Sequence, residues 1–291
     1  MKIVFVACGI LAASAGYAQI PDVKIHLDAT FSYRIQNSGK PLANFYDVLG
    51  RPSTLSLWFY TEQGFRAFVA EKLQHVPGDR DTDLFDEYYL EDERIWRVGK
   101  QYLPFGAGII LHESAVAARG DTNLIVEGLP VSVALCDAGQ GLDNGVIGRL
   151  GSMIGISSAY GRNFGTAGTS LANVRRPEDA PGPNHGWKEA FGLDATRRLS
   201  THWTLKTEAV NFRRGETALD KDCTVFDFGI TLSPKRGEST TLAWSRIQPD
   251  RKDFLRLSGS YSLSKNIAFE PTVRFRNASL FDISAEIRVR I

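Results

Sequence analysis

The sequence has few cysteines, no surplus of either charge and no second long apolar run. Of its three cysteines only Cys136 and Cys223 lie beyond the first residues, and two cysteines do not make a disulfide scaffold. Whether these two pair is left open. The 34 Lys and Arg residues balance 33 Asp and Glu residues, so no basic excess points to nucleic acid. A mean hydropathy of -0.17 without a second apolar segment excludes a helical membrane protein.

The one long apolar run stands at the start of the chain. Lys2 supplies a positive charge, residues 3–13 are almost wholly apolar, and Gly16 and Ala18 stand three and one residues before a candidate cleavage site. A bilayer-spanning helix needs roughly 20 residues, so this run is too short to be one. The pattern predicts a cleaved signal peptide over 1–18 and therefore an exported protein.

Polar and apolar residues alternate along the end of the chain. The apolar set is Phe281, Ile283, Ala285, Ile287, Val289 and Ile291, and the set between them is Asp282, Ser284, Glu286, Arg288 and Arg290. Successive side chains of a strand point to opposite faces, so this pattern predicts a strand with one apolar and one charged face. The same alternation recurs over 267–276, 255–263 and 23–35.

The predicted strands are unusually long. They reach roughly ten residues, whereas strands of globular proteins average about five or six and a tilted transmembrane strand needs about 9–11. One apolar face and one polar face suit a lipid-facing exterior and a wet lumen. We therefore expect residues 19–291 to form one all-β domain, a transmembrane antiparallel up-and-down β-barrel. A soluble periplasmic β-protein is the competing interpretation.

Turn signals between the strands give a count of about 14 strands, an even number that places both termini on the periplasmic side. The polar stretches 37–52, 163–186 and 214–221 then all lie outside. Residues 104–143 form one long connection in this count. Strand-like runs between Asn123 and Leu135 raise the count to 16 if they cross the membrane.

Two segments resemble a known family. Residues 93–106, ending in Pro104-Phe105-Gly106, and residues 144–165 resemble outer-membrane porins of the phosphate-selective O/P type. The resemblance covers about a quarter of the chain and implies a loop that folds into the lumen and narrows it. The family's phosphate-binding residues have no counterparts that match one by one, so phosphate specificity is not carried over. The last residue, Ile291, departs from the phenylalanine that usually ends the barrel-assembly signal.

The candidate constriction loop is 104–143, in which Gly108 to Arg119 has fair helix formers. Charged side chains of both signs in a narrow passage select solutes by charge. The residues expected to line the pore or its constriction are Arg97, Gln101, His112, Glu113, Arg119, Asp121, Arg274, Arg276 and Arg288. Glu113 and Arg119 could equally anchor the loop to the wall.

Arginines recur on the predicted lumen face, where their planar donors suit carboxylate or phosphate. They could form an anion-attracting wall or pair with Asp28, Glu87, Glu208, Glu270 and Glu286. The near-equal charge totals favour pairing.

These features together predict a channel for passive diffusion of small polar or charged solutes. We expect no catalytic residue, no metal and no cofactor. The alternative functions are a structural barrel and a hydrolytic one of the phospholipase or protease kind. The expected partners are outer-membrane lipid, small solutes or ions and the barrel-assembly machinery, without nucleic acid. A homotrimer and a monomer both stay open.

Overall fold

The computed structural model describes residues 22–36, 41–47, 50–61, 64–76, 83–92, 95–122, 129–136, 144–164, 186–215, 221–249 and 251–291. The regular structure in these ranges is entirely β, in seventeen strands. Within the same ranges, no helix is long and apolar enough to cross a membrane. The predicted signal peptide, 1–18, lies outside the described residues.

The strands follow one another without intervening helices. The first nine are β1 (Asp22–Gln36), β2 (Pro41–Asn44), β3 (Thr54–Tyr60), β4 (Phe65–Lys72), β5 (Phe85–Asp92), β6 (Trp96–Tyr102), β7 (Ser114–Thr122), β8 (Val131–Cys136) and β9 (Gly145–Leu150). The remaining eight are β10 (Ile154–Phe164), β11 (Trp187–Arg198), β12 (Trp203–Gly215), β13 (Cys223–Leu232), β14 (Glu238–Gln248), β15 (Lys252–Ser262), β16 (Ile267–Arg276) and β17 (Ser279–Arg290).

The long first strand closes the sheet into a barrel. From Asp28 onward β1 pairs antiparallel with β17, and its earlier residues pair with β3. From β3 to β17, each strand pairs antiparallel with the strand that follows it in sequence. The short β2 is an extra strand, which pairs with β1 beyond the end of β3. Sixteen strands therefore form the closed barrel. We call the end where β1 begins and β17 ends the terminal end, and the opposite end the loop end.

The structure corrects the expected count of 14 strands to 16, the alternative that the sequence offered. The two missing strands are β7 and β8, which lie within the supposed connection 104–143 and pair with β6, with each other and with β9. They were missed because β8 has only six residues and because small residues, Ala118 and Gly120, stand on the outward face of β7 where large apolar residues mark other strands. Residues 123–128 and 137–143 lie outside the described part.

The helical tendency expected over 108–119 is wrong. Residues 108–113 are irregular, and Ser114 begins β7, whose backbone pairs with β6 from Tyr102 to Trp96. The cross-strand ladder gives each buried backbone group a partner along the barrel wall. This tertiary pairing overrides the intrinsic preference of alanine for helix, which is a weak determinant by itself.

The two faces of the wall are opposite in character to those of a soluble protein. Along β17, Ile283 and Ile287 are exposed on the outer face, while Ser284 and Glu286 are buried on the inner face. Along β1, Phe31 and Tyr33 point outward and Ser32 points inward. The alternation predicted for these strands is confirmed: their large apolar side chains lie on the outside and their polar side chains face the lumen.

Candidate functional site

Residues 103–113, which we call the inward loop, leave the end of β6 and fold inside the barrel. The loop begins and ends on a hydrogen bond from the backbone N–H of Leu103 to the carbonyl of Glu113, at 3.0 Å. Between these points it reaches the inner faces of β10, β11 and β12. The N–H of Gly106 donates to the hydroxyl of Ser157 on β10 at 2.8 Å. The loop thus spans part of the lumen and reaches the wall four to six strands away from β6.

Glu208, on the inner face of β12, fastens the inward loop. Its Oε2 accepts hydrogen bonds from the backbone N–H groups of Ile109, at 2.8 Å, and Ile110, at 3.2 Å. Gly106 packs against the same carboxylate, where a Cβ would collide with the Glu208 side chain. The positive φ of Gly106, 54°, also favours glycine. A buried carboxylate that accepts two backbone N–H groups holds the loop in one position.

Beneath the inward loop the barrel contains an apolar core. Phe105 packs against the backbone of Gly192, where a Cβ would lie 2.7 Å from its ring. The cluster draws on the loop and on the inner faces of β7 to β15. Its larger members are Leu103, Phe105, Ile110, Leu111, Ile147, Trp187, Val210, Phe212, Val225, Ile247 and Phe254. This side of the lumen is therefore occupied by packed apolar side chains.

The other half of the lumen is polar. On β16 and β17, Arg274 donates from Nε to Asp282 at 2.8 Å, and both side chains are buried. Arg34 of β1 approaches the same carboxylate at 3.8 Å. Nearer the terminal end, Arg288 donates from Nε and from a terminal nitrogen to Asp28 of β1, at 2.7 and 2.6 Å. These bidentate pairs link β16 to β17 and β17 to β1 on the inner side of the wall.

A second element, which we call the inward hairpin, comprises residues 45–47 and 50–53 between β2 and β3. Tyr46 bridges to Pro52, and the N–H of Asp47 donates to the carbonyl of Arg51 at 3.0 Å. The buried hydroxyl of Ser53 accepts from the N–H of Thr30, which lies on β1, at 2.7 Å. Residues 37–52 were expected to lie outside the barrel. The inward hairpin instead turns into the lumen, where Asp47 and Arg51, together with β14–β17, line a polar cavity of about 220 Å³.

His112 lies where the inward loop and the inward hairpin approach each other. Its ring stacks on that of Tyr102, with centroids 3.9 Å apart and planes inclined by 14°. Burial lowers the pKa of His112 to about 4, and the positive charge of Arg51 on the hairpin adds to the effect. The imidazole is therefore neutral at ordinary pH. Arg51 itself keeps roughly half of its side chain exposed.

Three of the residues predicted to line the pore, Arg97, Arg119 and Asp121, belong to one ionic cluster near the terminal end. Arg97 donates to Glu91 at 2.9 Å and lies over the ring of Tyr89, 4.0 Å from its centre. Arg119 donates to Asp121 at 2.9 and 2.8 Å. These charges face the lumen, but each arginine is neutralised by a carboxylate beside it.

The other predicted residues are divided between the wall and the inward loop. Gln101 is fully buried, and its amide donates to the carbonyl of Ala117 at 3.0 Å. Glu113 is buried at the end of the inward loop. Arg274 and Arg288 hold the carboxylates described above, and Arg276 lies over the ring of Phe254, 6.0 Å from its centre. The structure thus brings only His112 to the approach between the two inward elements.

Three residues that shape the lumen were not among the predicted site residues: Glu208, Arg51 and Arg256, the last of which was predicted only as one of the arginines on the lumen face. Glu208 stood only among candidate partners for arginine, and its role depends on loop N–H groups about a hundred positions away. Arg51 lies in a polar stretch that has the composition of an external loop. Arg256 alternates correctly with Leu255 and Leu257, and that inward position was the available signal.

Neither the cysteines nor the acidic residues form a metal site in the described part of the chain. No group of three or more His, Cys, Asp or Glu side chains there is placed to hold a metal ion. Cys136 and Cys223 are buried thiols on β8 and β13.

No protein-family model matches the sequence, and no curated protein matches it. Solved structures do match the fold. A loop-deletion variant of OmpT, an outer membrane protein of Vibrio cholerae, aligns over 94% of this chain and 100% of its own, with a TM-score of 0.62 and 11% identity. The outer membrane channel DcaP of Acinetobacter baumannii aligns over 95% of this chain and 100% of its own, with a TM-score of 0.62 and 11% identity.

An anion-selective porin from Comamonas acidovorans aligns over 93% of this chain and 99% of its own, with a TM-score of 0.59 and 10% identity. At such identities the likeness concerns the fold alone. The chain shares with bacterial outer-membrane porins and channels the architecture of a closed antiparallel barrel.

Proposed function

We propose that the protein is a porin-like channel of a bacterial outer membrane, through which small polar or charged solutes diffuse passively. The observation that carries this proposal is the inverted barrel: apolar side chains cover its outside, while a polar, charged cavity lies inside between the inward hairpin and β14–β17. Apolar patches of this extent on a protein surface mark contact with lipid or another protein.

The strand count supports a passage for solutes. A barrel of eight strands is filled by its own side chains, whereas 16 or more strands enclose an aqueous channel. The apolar core takes up one side of this lumen, so we place the route on the polar side. Its narrowest part is proposed to lie between His112 on the inward loop and Arg51 on the inward hairpin.

The same fold suggests how the protein is exported, inserted and oriented in the membrane. Residues 1–18 are proposed to direct export and to be removed, after which the barrel-assembly machinery inserts the mature chain. Both termini would face the periplasm, and the loop end would face outward. OmpT of Vibrio cholerae has been solved in a trimer form, and a homotrimer is our proposal for this chain. We assign no cofactor, no catalytic step and no phosphate selectivity.

Planar-bilayer recording of the purified protein tests the channel function. We expect discrete steps of ion current after the folded protein is added, and no steps after addition of the same protein unfolded by heat. Liposome swelling in sugars of increasing size would give the size limit of the passage. A folded barrel that produces neither current steps nor swelling contradicts the proposal.

A further inference from the structure

The cavity under the inward hairpin carries charges of both signs. Its charged lining consists of three arginines and three carboxylates, namely Arg51, Arg256, Arg288, Asp47, Glu270 and Glu286. Five serine and threonine side chains complete its polar surface. At about 220 Å³ the cavity is smaller than the roughly 300–1,000 Å³ of sites for drug-sized ligands. It therefore fits a solute of only a few heavy atoms.

The strand register separates these charges along the wall. Of the three rows that line the cavity, the one closest to the loop end holds Arg256 opposite Arg274. The next inward row towards the terminal end holds Ser258 opposite Thr272. In the row after that, Glu270 stands opposite Glu286. Since inward rows follow at every second residue, roughly 6.6–6.8 Å apart, a cationic row and an anionic row flank a row of hydroxyls.

The arginines differ in what they already bind. Arg288 is held by both oxygens of Asp28, and Arg51 lies 3.5 Å from Asp47. The Nε of Arg256, in contrast, is buried and has no hydrogen-bond partner among the described residues. Leaving such a donor unsatisfied is unfavourable. Because the Arg256 side chain also lines the cavity, its guanidinium is the group that an incoming carboxylate would meet.

The carboxylates at the other end of the cavity favour a cation. Like charges directly opposite each other on neighbouring strands are unfavourable, and Glu270 faces Glu286 in this way. Ser260 donates one hydrogen bond to Glu270, at 2.9 Å, whereas a carboxylate can accept about four. An ammonium group placed here would gain charge-assisted hydrogen bonds from the acceptor positions of Glu270 beyond the one that Ser260 uses.

We propose that this cavity is a binding station for a small zwitterion of the dipeptide class. The carboxylate of the solute binds Arg256, its ammonium group binds Glu270 and Glu286, and its central amide meets the hydroxyls of Ser258 and Thr272. The proposal deepens the channel function and rests on it, because the solute reaches the cavity only through the lumen. A simple anion or a simple cation would use one end alone, and an uncharged sugar would use only the hydroxyls.

Isothermal titration of the whole protein in detergent tests the station with three matched probes. Glycylglycine carries both charges, N-acetylglycine lacks only the ammonium group, and glycine N-methylamide lacks only the carboxylate. We expect glycylglycine to bind at least about tenfold more tightly than either analogue, since each lost charged contact weakens binding by about that factor. Equal binding of N-acetylglycine and glycylglycine would overturn the zwitterion and leave an anion site.

Substitutions of the cavity residues test whether glycylglycine binds in this cavity. Arg256→Gln should reduce glycylglycine affinity to that of glycine N-methylamide, and Glu270→Gln should reduce it at least about tenfold. Both substitutions remove one member of a like-charged opposed pair, so the barrel should still fold. Lys235→Gln and Glu238→Gln, which remove one charge of each sign from the turn between β13 and β14, are the matched controls. Unchanged affinity in both cavity variants would overturn the proposal.

Bilayer recordings of the same preparations separate this proposal from the channel function. Current steps without glycylglycine binding would overturn the station and leave the channel. Glycylglycine binding without current steps would contradict the channel and retain the site. In a conducting protein, glycylglycine should reduce the current in a saturable way, and Arg256→Gln should shift that saturation to higher concentrations.

Discussion

The carboxylate of Glu208 accepts a hydrogen bond from the backbone N–H of Ile109 at 2.8 Å, across 99 positions of sequence. This contact, with its companion at Ile110, fixes the inward loop against the wall at β12.

Replacing Glu208 with alanine should loosen the inward loop. Two buried N–H groups lose their acceptor, and each such loss is worth on the order of 1–3 kcal/mol. We expect larger fluctuations in single-channel current and faster cleavage of residues 103–113 by protease. Glu238→Ala, at the start of β14 and away from the inward loop, is the control. If the current noise of the two variants is the same, the loop does not depend on Glu208.

Gly106→Ala should displace the same loop by another route. An alanine at a φ of 54° costs roughly 1–2 kcal/mol in backbone strain, and its Cβ would also collide with the Glu208 carboxylate. We expect a lower free energy of unfolding in denaturant. Gly120→Ala is the matched control, because its Cβ would meet nothing closer than a carbonyl at 3.9 Å. Equal stability of the two variants would contradict this role of Gly106.

The buried imidazole of His112 should make the stability and the ion selectivity of the protein depend on pH. Its pKa is about 4 in the folded protein, below the ordinary value of 6.5 that it has in an unfolded chain. Between these values the unfolded chain binds more protons, so stability falls as the pH drops from about 6.5 to about 4. Below about pH 4 the imidazolium adds positive charge beside Arg51, and the passage should favour anions more strongly. The reversal potential in a salt gradient measures this change. His112→Gln should abolish it, and its persistence in that variant would assign the effect to another group.

Ion selectivity should respond more to Arg51 than to Arg119. Arg51 is half exposed where the two inward elements approach, whereas Arg119 is held by Asp121 near the terminal end. We expect Arg51→Gln to move the reversal potential towards cation preference and Arg119→Gln to move it less. Arg198→Gln, in an exposed turn, serves as control. A larger change for Arg119 would place the narrowest point near the terminal end.

The long strands could be predicted because alternation is a property of each strand alone. In β17 every second residue is apolar, and the lumen and outer faces follow directly. In β7 the outward positions include Ala118 and Gly120, so the contrast between the faces is weak. Its identity as a wall strand depends on pairing with β6 and β8, which the local sequence does not reveal.

The candidate site was harder to predict from the sequence for a similar reason. The turn Pro104-Phe105-Gly106 indicated a loop folding inward, but the inward hairpin has the polar, proline-containing composition of an external loop. Its direction is set by contacts such as that of Ser53 with Thr30, 23 positions apart. Arginine partners pose the same difficulty, since Arg288 binds Asp28 at a separation of 260 residues.

The apolar core beneath the inward loop limits how this barrel could be re-engineered as a nanopore. Phe105, Ile110 and Leu111 are part of the packing that holds β7 to β15 together from inside. Shortening this loop to enlarge the bore would empty that core and weaken the wall itself. The inward hairpin contributes no side chain to that cluster, so a wider aperture is better sought by trimming residues 45–53.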